Sequence, residues 1–397
     1  MQRKEYWLGF VTGALAIAAG GMLGITVNHV QHVRRGYVMS EPGHAARLES
    51  LEDLIDEYYL NETDDEQLAQ GVYKGLIEGL GDQYSYYYTP EEYTEEKETS
   101  QGSYAGIGIL MQSLEDGTIL IVECYDNAPG KEAGLLAGDI ITRVDDIDVT
   151  EVELSEVVAH IREKVEGSIE MTVLRGEGEK QETLEITVPV TNVELPSVYS
   201  EMLEDDIGYI QITEFKSVTY HQFTDAYEQL QSDGMKSLVV DLRDNPGGYV
   251  DVVCDILREI LPEGIIFYTE DKHGEREEFF SEGDSPISIP LAVLVNGDSA
   301  SASEIFAGAV KDYEIGTVVG TTTYGKGVVQ SIRAYPDGSA VKLTTSHYYT
   351  PKGHDIHDVG IEPDVIVEEE EGRDLQLEKA CEILDAEPGK ELPEGGK

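Results

Sequence analysis

This chain of 397 residues is poor in cysteine, and the few cysteines it has exclude two classes of protein. Cys124, Cys254 and Cys381 lie far apart in the sequence, so they form neither a disulfide framework nor a CxxC metal pair. Cys124 and Cys254 each stand within an apolar stretch. We therefore expect both to be buried free thiols.

Basic residues are also scarce, because 28 lysines and arginines face 79 aspartates and glutamates and the formal net charge is −51. Such a charge argues against nucleic acid and against an anionic membrane surface as partners. The carboxylates are spread along the whole chain, which is typical of a solvated surface suited to high salt or alkaline surroundings. Recognition of cationic substrates is the alternative interpretation.

One long apolar run stands out near the N-terminus. Residues 7–27 contain no charged side chain, and the run matches the roughly 20 residues that cross a bilayer as a helix. Arg3 and Lys4 precede it, as expected for a cytoplasmic N-terminus. The pattern predicts a single-pass anchor in the cell membrane, with the rest of the chain outside the cytoplasm. Secretion after cleavage of a signal peptide is the alternative.

Shifts in composition and periodicity divide the chain into an anchor with its linker (1–36), a helical region (37–103), short strands with one helix (104–192), alternating strands and helices (193–367) and an acidic tail (368–397). Leucines recur at helical spacing from Leu48 and again from Leu68, which predicts a small cap or an arm for a homodimer. The tyrosines between Ser85 and Pro90, together with Tyr84, are interpreted as packing residues. The fold class is a mixed α/β multidomain chain.

Glycine-rich turns mark the segment of short strands. The motifs are Tyr104-Ala105-Gly106-Ile107-Gly108-Ile109, Asn127-Ala128-Pro129 and Ala133-Gly134-Leu135, and they resemble a PDZ domain of the bacterial circularly permuted kind. Glycines on both sides of Ile107 allow backbone N–H groups to converge on a carboxylate, and a groove beside the strand accepts an extended peptide. The resemblance implies that Gly106, Ile107 and Gly108 bind a peptide's C-terminus. A glycine-rich turn without a ligand is the alternative.

A strand, a turn of small residues and a helix follow one another at residues 292–309. The turn carries Ser299, Ser301 and Ser303, and the helix begins near Glu304. A serine on such a turn is exposed, and the helix N-terminus favours developing negative charge. Spacing alone does not choose among the three serines, and any of them can serve instead as a helix cap.

Lys326 lies between Gly325 and Gly327 in an otherwise apolar loop, where burial disfavours its charged form. A neutral lysine accepts a proton from a serine hydroxyl, whereas a solvated surface lysine does not. Solvation is the alternative for this residue. Gln330 is placed to accept a hydrogen bond from the amine and so orient it, although alone it is one more polar residue on a strand.

A second glycine-rich turn follows the strand at residues 239–242. It reads Asp241-Leu242-Arg243-Asp244-Asn245-Pro246-Gly247-Gly248 and precedes a helix that begins near Val250. Such a turn aims backbone N–H groups at an oxyanion. A tight connection without a catalytic role is the alternative.

Together with Gly81-Asp82-Gln83-Tyr84-Ser85 and Gly360-Ile361-Glu362-Pro363-Asp364, these motifs resemble the carboxyl-terminal processing peptidases, or tail-specific proteases. These are PDZ-containing serine proteases with a Ser–Lys dyad. The resemblance implies that Ser301 is the nucleophile, Lys326 the general base and Gln330 the residue that orients the lysine. It implies an oxyanion hole from the backbone N–H groups of Gly247 and Ala302. It also implies protein or peptide substrates with accessible C-termini, and neither a cofactor nor a metal.

Two other interpretations remain to be weighed. His354 and His357 lie beside aspartates, but no third histidine is near, so we predict no metal site. A membrane-anchored PDZ scaffold that binds C-terminal tails without catalysis is the alternative function, and the complete set of Ser301, Lys326 and Gln330 argues against it.

Arg175, at a strand end, is expected to link the PDZ domain to the protease core.

Overall fold

The computed structural model describes residues 41–125, 128–176, 178–284 and 286–386. The predicted membrane anchor at residues 7–27 lies outside these ranges. Within them, no helix is both long enough and apolar enough to cross a bilayer. The described residues divide into two compact units, the first ending at Gly75 and the second beginning at Leu76.

The first unit contains the predicted amphipathic helices, α1 (Pro42–Tyr58) and most of α2 (Asp65–Glu78). At the start of α2, a carboxylate oxygen of Asp64 accepts hydrogen bonds from the backbone N–H groups of Glu66 and Gln67. These bonds satisfy N–H groups that have no partner within the helix. Leu51, Leu54 and other apolar side chains of these helices are exposed.

The second unit begins with the end of α2, followed by β1 (Tyr86–Tyr88), a strand of the α/β core, and α3 (Pro90–Gln101). A PDZ-like part built on short strands comes next. Its elements are β2 (Ser103–Gly106), β3 (Ile109–Ser113), β4 (Ile119–Cys124), α4 (Pro129–Glu132), β5 (Ile140–Val144), β6 (Ile147–Asp148), α5 (Leu154–Glu163), β7 (Ser168–Arg175), β8 (Glu182–Pro189) and β9 (Thr191–Glu194). The antiparallel sheet has the order β3-β4-β5-β7-β8, with β6 on β5, while β2 pairs with β9. Alternate residues of β7 and the apolar face of α5 form a separate core.

The α/β core follows. Its elements are β10 (Val198–Met202), β11 (Ile207–Ile212), α6 (Thr219–Ser232), β12 (Ser237–Asp241), α7 (Val250–Arg258), β13 (Gly264–Asp271), β14 (Arg276–Ser281), β15 (Leu291–Val295), α8 (Ala302–Tyr313), β16 (Thr317–Gly320), β17 (Val328–Ala334), β18 (Ala340–Tyr349), β19 (Val365–Ile366) and α9 (Leu375–Ala386). One sheet has the order β10-β11-β12-β15-β16-β19 and is parallel from β11 onward. The other has the order β1-β18-β13-β14, with β17 on β18.

Both faces of the parallel sheet are covered, which explains why every residue of β12 and β15 is buried. Val293 and Val295 pack in the cluster that includes residues of α6, α7 and α8. Ala292 and Leu294 point the other way, toward Ala380 and Leu384 of α9. Part of the segment predicted as an acidic tail (368–397) therefore forms a helix that packs in the core.

The cysteine predictions are half right. Cys254 is buried on α7, and burial raises the pKa of its thiol to about 12. Cys124 is only half-buried, so its predicted burial was wrong. It ends β4, whose pairing with β5 reaches only Ile119 and Leu120, and the far end of the strand is therefore less covered.

Candidate active site

The structure distinguishes the three serines of the turn. Ser299 and Ser303 are fully buried, and their hydroxyls donate to backbone carbonyl oxygens, Ser299 to Leu242 at 2.8 Å and Ser303 to Asn245 at 3.0 Å. Ser301 alone is partly exposed. The two buried hydroxyls brace the turn, which leaves Ser301 as the candidate nucleophile.

Ser301 is the N-cap residue of α8, and its backbone is strained. Its φ is 55° and its ψ is −112°, whereas N-cap residues ordinarily adopt an extended conformation. A non-glycine residue with positive φ is held in place only when its surroundings determine it, as in nucleophile turns between a strand and a helix. The hydroxyl of Tyr348, a fully buried residue whose pKa burial raises, donates to the Ser301 carbonyl oxygen at 3.0 Å.

Glu304 joins the serine turn to the lysine loop. Its fully buried carboxylate accepts hydrogen bonds from the N–H groups of Ser301, Gly325 and Lys326 at 2.7–2.9 Å and from the Thr323 hydroxyl at 2.7 Å. Burial raises the pKa of this carboxyl group, and the four hydrogen bonds oppose that rise. The connection to the lysine loop is not predicted from the motifs, although a serine followed three residues later by glutamate is a capping signal.

Lys326 is half-buried, as its flanking glycines and apolar neighbours predict. Burial lowers the pKa of its amine, and the nearby positive charge of Lys342 on β18 lowers it further. The carboxylates of Glu304 and Asp82 act in the opposite direction. The net effect lowers the pKa of the amine, so the neutral form that a general base requires is reached at lower pH than in a solvated lysine.

The Lys326 amine lies against the motif Gly81-Asp82-Gln83-Tyr84-Ser85, far away in the sequence. Its Nζ is 4.9 Å from the centroid of the Tyr84 ring. Among the residues that the structure describes, no hydrogen bond joins this Nζ to Ser301 Oγ. The structure thus brings the two residues to one site through Glu304 without aligning the dyad.

Gln330 lies on β17, next to a register shift in its pairing with β18. Its side-chain nitrogen donates to the Val328 carbonyl oxygen at 3.3 Å and to the Thr344 hydroxyl at 3.4 Å. No hydrogen bond to Lys326 is present within the described ranges. Its orienting role therefore stays a prediction.

The two predicted oxyanion donors differ in availability. A Cβ atom added to Gly247 would lie 2.8 Å from Ser301 Cβ and 3.0 Å from the nitrogen of Ala302, so its backbone closely approaches the nucleophile. Its own N–H, however, donates to Asn245 Oδ1 at 2.8 Å. The N–H of Ala302 donates to no residue in the described part of the chain. Of these two predicted donors, therefore, only the Ala302 N–H is available in this arrangement to donate a hydrogen bond to an oxyanion.

Asn245, part of the glycine-rich turn, has a connecting role that the sequence pattern does not predict. It is fully buried, its amide donates to the Ile212 carbonyl oxygen at 2.8 Å, and its own carbonyl oxygen accepts from the N–H of Ala300 at 3.0 Å. It therefore connects the glycine turn after β12 to the serine turn after β15.

In the PDZ-like part, the predicted carboxylate loop joins β2 to β3. Gly108 has a φ of 70°, which favours glycine, and a Cβ there would lie 2.2 Å from that of Ala128. Gly106, Ile107 and Gly108 are buried. Within the described ranges, the N–H groups of Ile107 and Gly108 donate no backbone hydrogen bond.

Arg175 does not make the predicted link to the protease core. Its guanidinium donates to both carboxylate oxygens of the buried Asp139, at 2.8 and 2.7 Å, and to the Gly134 carbonyl oxygen at 2.7 Å. These partners all belong to the PDZ-like part, and pairing with Asp139 raises the pKa of Arg175. A buried carboxylate beside the strand end holds the arginine within its own domain.

The histidines near the active site make no metal cluster. Among the described residues, no group of three or more histidine, cysteine, aspartate or glutamate side chains is placed to hold an ion. His354 instead lies 3.4 Å from a carboxylate oxygen of Asp312.

This architecture defines a class: an α/β core with a serine at a strained strand-to-helix turn, a partly buried lysine and an attached PDZ-like domain. The family described as Peptidase family S41 matches residues 206–367, and the PDZ domain family matches residues 105–190.

The chain is similar in sequence to known bacterial proteases. The chain is 36% identical over 321 residues to the carboxy-terminal processing protease CtpA of Bacillus subtilis (strain 168), covering 80% of this chain and 68% of that protein. It is 33% identical over 325 residues to a probable CtpA-like serine protease of Staphylococcus aureus (strain N315), covering 81% of this chain and 64% of that one. A solved structure, the photosystem II D1 C-terminal processing protease, is 26% identical over 87% of this chain and 92% of its own, with a TM-score of 0.48.

The chain belongs to peptidase family S41, as a serine-type C-terminal processing peptidase. The resemblance found in the sequence motifs is confirmed.

Proposed function

We propose that this protein is a serine endopeptidase that binds the C-terminal end of a protein substrate through its PDZ domain and cleaves the substrate by a Ser–Lys acyl-enzyme mechanism. The observation that carries the proposal is the buried Glu304 carboxylate. It accepts hydrogen bonds from the backbone N–H groups of both Ser301 and Lys326, so the main chain of both residues is held by one buried group.

In the first half of the reaction, neutral Lys326 takes the proton of the Ser301 hydroxyl while Oγ attacks the scissile carbonyl carbon. The resulting oxyanion accepts a hydrogen bond from the N–H of Ala302 at the start of α8, which donates to no other residue within the described ranges. Gly247 contributes its N–H after that group leaves Asn245 Oδ1. The protonated lysine then donates its proton to the leaving amine, and an acyl-enzyme ester remains on Ser301.

In the second half, water attacks the ester and gives a proton to Lys326. The carboxyl product leaves, and the serine regains its proton from the lysine. For either half, Lys326 must reach Ser301 Oγ, and Gln330 is the residue we assign to orient it there. This requires Gln330 to exchange its present bonds to Val328 and Thr344 for one to the amine.

The PDZ domain supplies substrate selection in this proposal. The N–H groups of Ile107 and Gly108, which donate no backbone hydrogen bond within the described ranges, are suited to a terminal carboxylate. Because the loop is buried, the peptide has to open it. Peptides with a free C-terminal carboxylate are therefore the expected substrates.

The central experiment measures cleavage of a peptide with an apolar C-terminal tail by mass spectrometry. We expect Ser301→Ala and Lys326→Ala each to lower kcat/KM by about a thousandfold or more, because nucleophile and base act as a unit. Ser303→Ala is the matched control, since it removes a neighbouring hydroxyl that only braces the turn. The same peptide with an amidated C-terminus tests capture and is expected to show a raised KM.

Activity like that of the wild type in both Ser301→Ala and Lys326→Ala would refute the dyad and favour the scaffold alternative if tail binding persisted. Equal KM values for the free and amidated peptides would refute capture through the carboxylate.

We also propose that residues 7–27 anchor the enzyme in the cell membrane with the catalytic part extracytoplasmic, and that the exposed apolar faces of α1 and α2 support a homodimer. Alkaline carbonate extraction of membranes tests the anchor, because an anchored protein stays in the pellet. Light scattering of a version beginning at residue 37 tests the dimer, and a monomeric mass across the micromolar range contradicts it.

A further inference from the structure

The turn at residues 82–85, here called the 82–85 turn, packs on the lysine side of the candidate active site. The carboxylate of Asp82 accepts hydrogen bonds from the Tyr84 N–H at 3.1 Å and from the Ser85 hydroxyl at 2.6 Å. Ser85 Oγ in turn accepts from the N–H of Thr344 on β18 at 3.1 Å. The turn is thus fixed to the same strand that carries Lys342.

Two groups of this turn attract a positively charged lysine. The Tyr84 ring centroid lies 4.9 Å from Lys326 Nζ, within the distance at which an ammonium group is attracted to an aromatic face. The Asp82 carboxylate also stabilises the charged amine. Burial opposes ionisation of Asp82, but hydrogen bonds from Ser85, Thr344 and Tyr84 hold its pKa below the usual value.

The Lys326 main chain is fixed while its side chain has a choice of partners. The backbone N–H donates to Glu304 at 2.9 Å, so a change of contact has to come from rotation of the side chain. An aromatic face and a carboxylate attract the ammonium form strongly and the neutral amine weakly. The protonation state of Lys326 therefore decides how firmly the turn holds it.

We propose that Asp82 and Tyr84 are positioning residues for Lys326: the 82–85 turn holds the ammonium group at rest and releases the amine toward Ser301 once a proton has been lost to solvent. This proposal rests on the proposed function, because it concerns the base of that reaction. No covalent step is added. Loss of the proton and movement of the base become one event.

Several other charged or titratable groups surround Lys326 and enter its balance. Glu304 from α8 and Lys342 from β18 act on the lysine itself. His357, from the loop after β18, acts on Asp82, and Asp358 and Tyr324 act on Tyr84. The buried Tyr348 interacts with Glu304 and Tyr84. Tyr84 stays neutral across the working range, because burial and the neighbouring Tyr324 raise its pKa to about 12.

The test is the pH dependence of kcat/KM for the full chain acting on the tailed peptide. Asp82→Asn removes the charge but keeps a side chain that supports the same turn. Tyr84→Leu removes the aromatic face, and Tyr84→Phe retains it. With less stabilisation of the ammonium form, Asp82→Asn and Tyr84→Leu are each expected to move the rising limb to lower pH by about half a unit, while Tyr84→Phe keeps the wild-type midpoint.

Asp337→Asn is the matched control for charge removal. Asp337 also accepts hydrogen bonds from a nearby serine, Ser339, in an exposed turn, and it is not among the groups that act on Lys326. Its rising limb is expected to coincide with that of the wild type. Thermal unfolding of every variant identifies any loss of structure. Such a loss lowers the maximum kcat/KM in the pH profile without moving the midpoint of that profile, whereas a change in ionisation moves the midpoint.

Unchanged midpoints, or midpoints moved to higher pH, in both Asp82→Asn and Tyr84→Leu would overturn this inference. Lys326→Ala keeps the two proposals apart. If that variant is inactive while the midpoints do not move, only the positioning role fails. If it is as active as the wild type, the proposed function itself fails.

Discussion

The serine turn and the lysine pocket meet at Glu304 but are built in different ways. The serine turn comes from one stretch, residues 296–304. Its own buried hydroxyl groups, those of Ser299 and Ser303, fix it by donating to main-chain carbonyl oxygens. The lysine pocket is assembled from the 82–85 turn, the loop at residues 325–327 and β18. The serine is therefore held in one geometry, whereas opposing charges surround the lysine. We infer that the nucleophile is preorganised and that the base is adjustable.

Removing Glu304 breaks both halves at once and is expected to have the largest effect. Glu304→Ala leaves three N–H groups and one hydroxyl without their acceptor in the buried interior. We expect a loss of about 3 kcal/mol or more in the free energy of unfolding, because each buried unsatisfied donor is costly. The enzyme that remains folded is expected to lose about a hundredfold or more in kcat/KM, because the main chain of both Ser301 and Lys326 is no longer held by the Glu304 carboxylate.

Urea unfolding and peptide cleavage measure the two effects. Glu228→Ala, at an exposed position on α6, is the control and is expected to change stability by less than about 0.5 kcal/mol. Wild-type stability in Glu304→Ala would show that the serine turn and the lysine loop are held independently of each other.

The same contrast explains what the sequence could predict. The strand, the small residues and the helix around Ser301 are contiguous, so local pattern predicted the turn and its place in the fold. The sequence left three serines open. The tertiary structure distinguishes them, because Ser299 and Ser303 are buried and hydrogen-bonded whereas Ser301 is partly exposed.

Contacts between distant segments were beyond the sequence. Tyr84 was interpreted as packing, which holds for the buried Tyr87 and Tyr88, but its ring faces Lys326. Arg175 is expected to link the PDZ domain to the protease core but pairs with the buried Asp139, and no local sequence pattern predicts that pairing. Composition and periodicity report which side chains are buried, whereas tertiary pairing decides what a buried polar group contacts.

Gly247 tests the serine half alone. A Cβ at this position would lie 2.8 Å from the Ala300 carbonyl oxygen and from Ser301 Cβ, on a backbone with a φ of 107°. Because the added Cβ displaces the Gly247 N–H and the nucleophile from their positions, we expect Gly247→Ala to lower kcat/KM by about a hundredfold without moving the pH midpoint. The matched control is Gly297→Ala, where an added Cβ meets nothing within 4 Å.

A shifted midpoint in Gly247→Ala would mean that the glycine turn also sets the ionisation of Lys326. That outcome would erase the distinction between a preorganised nucleophile and an adjustable base.

Lys342 tests the lysine half alone, and its effect is expected to be the smallest. Its positive charge lowers the pKa of Lys326, so Lys342→Gln lets that pKa rise. A base with a higher pKa is neutral in a smaller fraction of molecules at a given pH, so the rising limb moves to higher pH, by about half a unit. This direction is opposite to the one expected for Asp82→Asn. Lys352→Gln, at an exposed lysine beside Glu314, is the control and is expected to leave the limb in place. A limb that stays fixed in Lys342→Gln, or one that moves to lower pH, would show that burial alone sets the charge of the base and that the lysine pocket is no more adjustable than the serine turn.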